Sequence, residues 1–236
     1  MKPGFLQIVL VTTVSIISFT SCVTTKKFDA YVSSQYNDQV PQVSVKKKAN
    51  NIQVQSPLVN NDTKVSNTTH NTKVLPLLVY WNINERFVCD LNKQIAVANF
   101  AKAITTASSK NIDNNISGRR LELTVEQAPY TFSLVDKTNI VWVILYAVNW
   151  SKVYIEPDAK DLIVSYKLLL GDTTIKTGSI TVKNNLHNQG LRLFQSWKSA
   201  TSEYLVAYDQ EVATMTKEFA AKLATELEQA SATGNQ

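Results

Sequence analysis

The sequence predicts an α+β fold: a two-layer domain with a mainly antiparallel sheet, one short helix and a long C-terminal helix packed on it, preceded by a signal peptide and a disordered tether. Three observations carry this. Stretches between residues 75 and 183 alternate apolar and polar residues with the period of two of half-buried strands. The last third repeats apolar residues at three- and four-residue spacing, a helical stripe. From Val23 to about Lys73 the chain is dominated by Asn, Thr, Ser, Gln, Lys and Val with no sustained period. The divisions that follow are 1–21 signal peptide, 22–74 anchor and low-complexity tether, 75–230 α+β domain, and 231–236 a frayed tail.

The N-terminus runs from Lys2 through an uncharged apolar stretch, Phe5 to Phe19, to Thr20-Ser21-Cys22. A membrane-spanning helix needs about 20 consecutive apolar residues, and this stretch is shorter and carries Thr12, Thr13, Ser15 and Ser18. A positive start, a short apolar core and small residues before a cut are instead the parts of an export signal. Phe19-Thr20-Ser21-Cys22 resembles the cleavage box of bacterial lipoprotein precursors, with Phe19 where Leu, Val or Ile is usual. The resemblance implies that Cys22 becomes the first residue of the mature chain, carries a diacylglyceryl thioether and usually an acylated amine, and ties the protein to the cell envelope. Two or three acyl chains anchor firmly where one binds marginally, each buried methylene contributing about 0.8 kcal/mol. Val23 and Thr24 lack the aspartate that retains some lipoproteins at the inner membrane, which resembles an outer-membrane address facing the periplasm. The alternative is an uncleaved apolar helix with an incidental cysteine.

The formal charge of +5 falls by one when Lys2 is removed with the signal. Lys26, Lys27, Lys46, Lys47 and Lys48 follow the anchor, where they add attraction to anionic headgroups. No basic motif interleaved with aromatics supports a nucleic-acid partner. Lipidation of Cys22 leaves Cys89 without a disulfide partner, so the core alone must stabilise the domain.

Within the tether, Phe28, Tyr31, Val32 and Tyr36 form a helical stripe and Ile52 to Gln55 alternates like a strand. Leu75 to Asp90 is a strand with Cys89 on its apolar side, a core position. Asn92 is placed to N-cap a helix through Val97, Phe100, Ala101, Ile104 and Ala107, stopping near Ser108 before the polar run 111–117. Arg119 to Gln127 places Leu121, Leu123 and Val125 inward, and Pro129 ends it. Ile140 to Trp150 is apolar on both faces and reads as one central strand. Asp161 to Leu170, the turn Gly171-Asp172-Thr173-Thr174 and Ile175 to Lys183 form a hairpin. The C-terminal helix follows from Trp197 through Leu227 with a break near Asp209.

Ser44-Val45-Lys46-Lys47 and Lys176-Thr177-Gly178 copy two motifs of serine β-lactamases and penicillin-binding proteins. Ser44 lies in a polar tether and the Ser-Asp-Asn motif is missing, so the match reads as chance. His70 and His187 have no partner at metal-ligand spacing. Glu122 and Glu126, and Glu156, Asp158 and Asp161, read as solvated faces or turns. No catalytic residue, metal ligand or cofactor is predicted.

The aromatic residues remain. Trp142, Tyr146 and Trp150 are expected to share a strand face, with Tyr154 continuing it. The face is either core beneath the C-terminal helix or an apolar groove holding a lipid or a partner segment, rimmed by residues 189–194 and Trp197. The order of elements is loosely similar to small auxiliary envelope lipoproteins. The expected function is a membrane-anchored, non-enzymatic accessory or binding module for another envelope component; a carrier of lipid or a small apolar ligand is the alternative, and a hydrolase the third.

Overall fold

The computed structural model describes residues 23–36, 51–58, 62–74, 79–107, 112, 116, 118–143 and 146–233. The signal segment, Cys22, Ser44, the expected helix stop at Ser108, most of the polar run 111–117 and the last residues of the tail lie outside the described residues.

The elements are α1 (Thr25–Gln35), β1 (Ile52–Gln55), β2 (Lys64–Val74), β3 (Val79–Asp90), α2 (Lys93–Ala107), β4 (Arg120–Gln127), β5 (Thr131–Val143), β6 (Tyr146–Pro157), β7 (Leu162–Leu170), β8 (Thr173–Val182), β9 (Gln189–Gly190) and α3 (Trp197–Thr233). The class is α+β with a long C-terminal helix, but the strands divide between two sheets, ordered β1-β4-β7-β8 and β2-β3-β5-β6-β9. β1 runs parallel to β4, and every other pairing is antiparallel.

One long hairpin joins the sheets. β4 leads into β5 and β6 into β7, with β4 paired to β7 and β5 to β6. Pro129 breaks the first arm because it has no N–H to give a ladder. Its carbonyl is not wasted: the buried Tyr208 hydroxyl donates to it at 2.8 Å.

In the first sheet Leu121, Leu123 and Val125 on β4, Val164, Tyr166 and Leu168 on β7, and Ile180 and Val182 on β8 are buried. They form one core with Ile95, Phe100 and Ile104 of α2 and Val212, Met215, Phe219, Leu223 and Leu227 of α3. Phe100 and Phe219 meet edge to face at 5.5 Å. Asn92 caps α2 as its position suggests, its Oδ1 accepting from the Gln94 N–H at 2.9 Å. β7 and β8 turn through Gly171 and Asp172, and Gly171 has φ of 59°, which glycine adopts without the Cβ clash other residues suffer.

Two expectations are corrected. The stretch 22–74 is not a tether throughout: Phe28 and Val32 of α1 are fully buried, β1 extends the first sheet, and β2 pairs with β3 along its whole length. Its polar composition hid this because α1 buries little more than those two side chains and β2 is an exposed edge. α3 has no break at Asp209. The Asp209 Oδ1 accepts from Asn99 Nδ2 of α2 at 2.7 Å and from the Tyr36 hydroxyl after α1 at 3.4 Å, so an acid that looked like a helix interruption joins three helical segments. Asp209 is held above the usual carboxylate range by burial, against the lowering effect of those hydrogen bonds.

Candidate functional site

The aromatic residues sort by strand register. Val143 stands opposite Tyr146, so Ile140 to Trp150 is the end of the β5–β6 hairpin and not a central strand. The correction has a physical cause. Both strands are apolar on both faces here, so the alternation runs on without a gap, and no Gly, Pro, Asn or Asp stands in the sequence between Val143 and Tyr146 to mark the reversal.

Reversal changes which side chains are neighbours. Trp142 stands opposite Ala147 and Trp150 opposite Asn139. Opposed residues share a face and successive residues alternate, so Trp142 and Trp150 project from opposite faces of the sheet. Neither is covered by the C-terminal helix: Trp142 is 46% and Trp150 50% exposed, and Val148 between them in the chain is 55% exposed. Trp197 is elsewhere. It is buried at the start of α3, edge-on to Phe28 at 5.7 Å and to Tyr31 at 5.4 Å. Among the described residues Trp197 therefore packs apart from the exposed Trp142 and Trp150, and the three do not line one groove beneath α3.

What is formed is a projecting sheet. Its base is core: Phe87 and Cys89 of β3, Phe132 and Leu134 of β5, and Ile155 of β6 pack with Phe28, Trp197 and Tyr204. Towards the β5–β6 end beyond Phe87 and Val135 no described side chain of these strands is buried. Residues 66–72 of β2 and 147–152 of β6 are exposed, and 80–86 of β3 and 136–141 of β5 are half-buried. On the face carrying Trp150, Asn139 accepts from the Tyr80 hydroxyl at 2.8 Å and from Asn82 Nδ2 at 2.7 Å, which ties β3 to β5 beside the tryptophan.

Nearer the base on that face, Lys137 and Lys152 stand directly opposite each other, with their ammonium groups 5.4 and 5.8 Å from the Tyr154 ring centre. They line a cleft of about 290 Å³ with Tyr154, Asn188 and Gly190. Leu191 then donates its N–H to Val153 O at 3.0 Å, and the chain turns through Leu193 and Phe194, which are 85% and 97% exposed. Phe194 has φ of 64°, a left-handed conformation that costs a non-glycine residue energy.

Two other features of the sequence serve packing. Cys89 is fully buried and burial pushes its thiol up, away from the reactive thiolate. Gly178 of the Lys176-Thr177-Gly178 match exists to seat a ring, since a Cβ there would come within 2.6 Å of Tyr166. The Tyr166 hydroxyl donates to Glu226, and Lys176 Nζ to the Glu226 carbonyl, so this stretch clamps β7 and β8 to α3. Among the described residues no group of three or more His, Cys, Asp or Glu side chains is placed to hold a metal ion, and no helix is long and apolar enough to cross a membrane. No protein-family model matches the chain, and no characterised protein or solved structure matches it.

Proposed function

We propose that this chain is an envelope lipoprotein, anchored through Cys22, that acts as a non-enzymatic binding module for another envelope component and uses the projecting sheet as its binding element. The observation that supports this is the exposure of Trp142, Val148 and Trp150 at the end of a sheet that the helices leave uncovered on both faces. Isolated surface apolar residues are ordinary, but large aromatics gathered at one end of a rigid element mark an interaction surface. The base is held by a shared aromatic core, so the element is presented with little conformational freedom left to lose on binding.

Benzoylphenylalanine placed at position 142 or 150 in cells tests this, because the photoactivated ketone inserts into C–H bonds of whatever touches it. The expected result is an envelope-dependent adduct at both positions, together with a diacylglyceryl mass on the mature chain that Cys22→Ser abolishes. No adduct at either position in a correctly exported chain overturns the binding role, and an unmodified Cys22 overturns the anchor.

A further inference from the structure

We infer that the projecting end of the second sheet enters the interface of an anionic lipid bilayer, with Trp150 among the headgroups, Trp142 and Val148 nearer the hydrocarbon and the Lys137–Lys152 pair on the phosphates. This rests on the envelope-anchored reading and names the partner of the same surface. The first support is the distribution of charge. Residues 66–84 and 137–155, which hold the uncovered parts of β2, β3, β5 and β6, contain Lys73, Lys137 and Lys152 and no aspartate or glutamate. Carboxylates return only in the next row towards the base, where Glu85 stands opposite Asp136 on the other face. Three of the chain's four tryptophans, Trp81, Trp142 and Trp150, lie in this acid-free region.

The second support is the order of residues along the sheet. On one face the rows are Lys137 with Lys152, then Asn139 with Trp150, then Val141 with Val148. Each two-residue step is about 7 Å, so the lysines stand about 7 Å behind the tryptophan and about 14 Å behind the valines. A bilayer has a polar layer of about 5–8 Å on each side of its hydrocarbon, and tryptophan and tyrosine collect in that layer. Cation, then aromatic, then aliphatic is the order a membrane meets from water inwards.

The third is the lysine pair itself. Like charges directly across a strand pair are destabilising. Among the described residues neither lysine forms an ion pair with a carboxylate, and a bound anion would offset the repulsion that the Tyr154 ring only partly relieves. The fourth is that Trp142 and Trp150 leave the sheet on opposite faces. A docked protein covers one face, whereas a bilayer surrounds the whole end. The anchor agrees in direction: α1 runs from Asp209, which Tyr36 contacts, back to Phe87 and Phe132 of the second sheet, which Phe28 contacts, and so begins on that sheet's side.

Flotation of the mature chain carrying Cys22→Ser, which cannot be lipidated, tests the inference. It should float with vesicles of phosphatidylethanolamine and phosphatidylglycerol. Trp142→Ser with Trp150→Ser should lower the bound fraction about tenfold. Lys137→Gln with Lys152→Gln should lower it about fivefold or more and remove the preference over phosphatidylcholine vesicles. Val148→Ser, a smaller change at an exposed site, should weaken binding while leaving the urea midpoint in place. The inference is overturned if the chain stays in the soluble fraction with every vesicle, or if the tryptophan variant floats as well as its parent. A protein adduct at position 150 without flotation rejects the bilayer and keeps the binding module, and an adduct between two copies makes this end a self-interface. Absence of both flotation and adduct rejects the two readings together.

Discussion

Replacing Phe28 by alanine tests whether the segment after the anchor belongs to the folded domain. Phe28 is fully buried and meets Phe87 at 6.2 Å, Phe132 at 6.1 Å and Trp197 at 5.7 Å, all edge to face. Phe→Ala in a close-packed core costs about 3–5 kcal/mol, from lost transfer energy and the cavity left behind. The upper half of that range applies, because three ring contacts of about 0.5–1.5 kcal/mol each go with it. Urea unfolding of the Cys22→Ser mature chain, followed by tryptophan fluorescence, measures the change, and Trp197 reports on the site directly. The expected outcome is a midpoint lowered by that free energy at an unchanged slope. A loss under about 1 kcal/mol would mean that α1 is not docked, and the description of 23–36 as part of the core would fail.

Three other outcomes follow from the packing. Gly178→Ala should cost about 1–3 kcal/mol in the same unfolding assay, because its Cβ meets the Tyr166 ring at 2.6 Å and the ring is held by Glu226; a neutral change would show that the ring has room to move. Asp209 has a raised folded-state pKa through burial, so between the ordinary carboxylate range and that raised value the folded state keeps a proton the unfolded state has released. Its contribution to stability therefore falls as pH rises through that window, and Asp209→Asn, which keeps the acceptor for Asn99 and Tyr36, should lack the fall; a parent-minus-variant stability curve that rises with pH would contradict this. Cys89 should be unreactive to a thiol reagent until urea unfolds the chain, and labelling at native rates typical of an exposed thiol would contradict its burial.

Much of the first sheet was legible. Leu121, Leu123 and Val125 alternate against polar neighbours, Leu162 to Leu168 do the same, and Gly171 marks their turn, because a sheet with one covered face writes its burial into the period of two. α2 was legible from Asn92 and the spacing of Phe100 and Ile104. The second sheet was not. β2 has polar residues along both exposed faces, so it reads as linker, and the β5–β6 end has apolar residues on both faces, so it reads as one buried strand. Each departs from alternation for the same reason: this end of the sheet does not separate a protein core from water. Tyr146, Trp150 and Tyr154 keep one phase along β6, as their spacing indicates, but Trp142 belongs to the other face, since the chain reverses between Val143 and Tyr146. Trp197 opens the apolar stripe of the C-terminal helix, as its spacing indicates, and that place in the core keeps it from rimming a groove with the other tryptophans. The signal that was available is electrostatic: two stretches, 66–84 and 137–155, hold lysines but no acids.

The measurement that bears most directly on the proposed bilayer contact is tryptophan quenching by lipids brominated at shallow acyl positions, with the Cys22→Ser mature chain and with Trp142→Phe, Trp150→Phe. Vesicles should shift the parent's emission to the blue and brominated lipid should quench it, with much of the quenched signal absent from the double variant while the emission of buried Trp197 remains. Emission unchanged by vesicles, or quenching that is the same in the two chains, would contradict it.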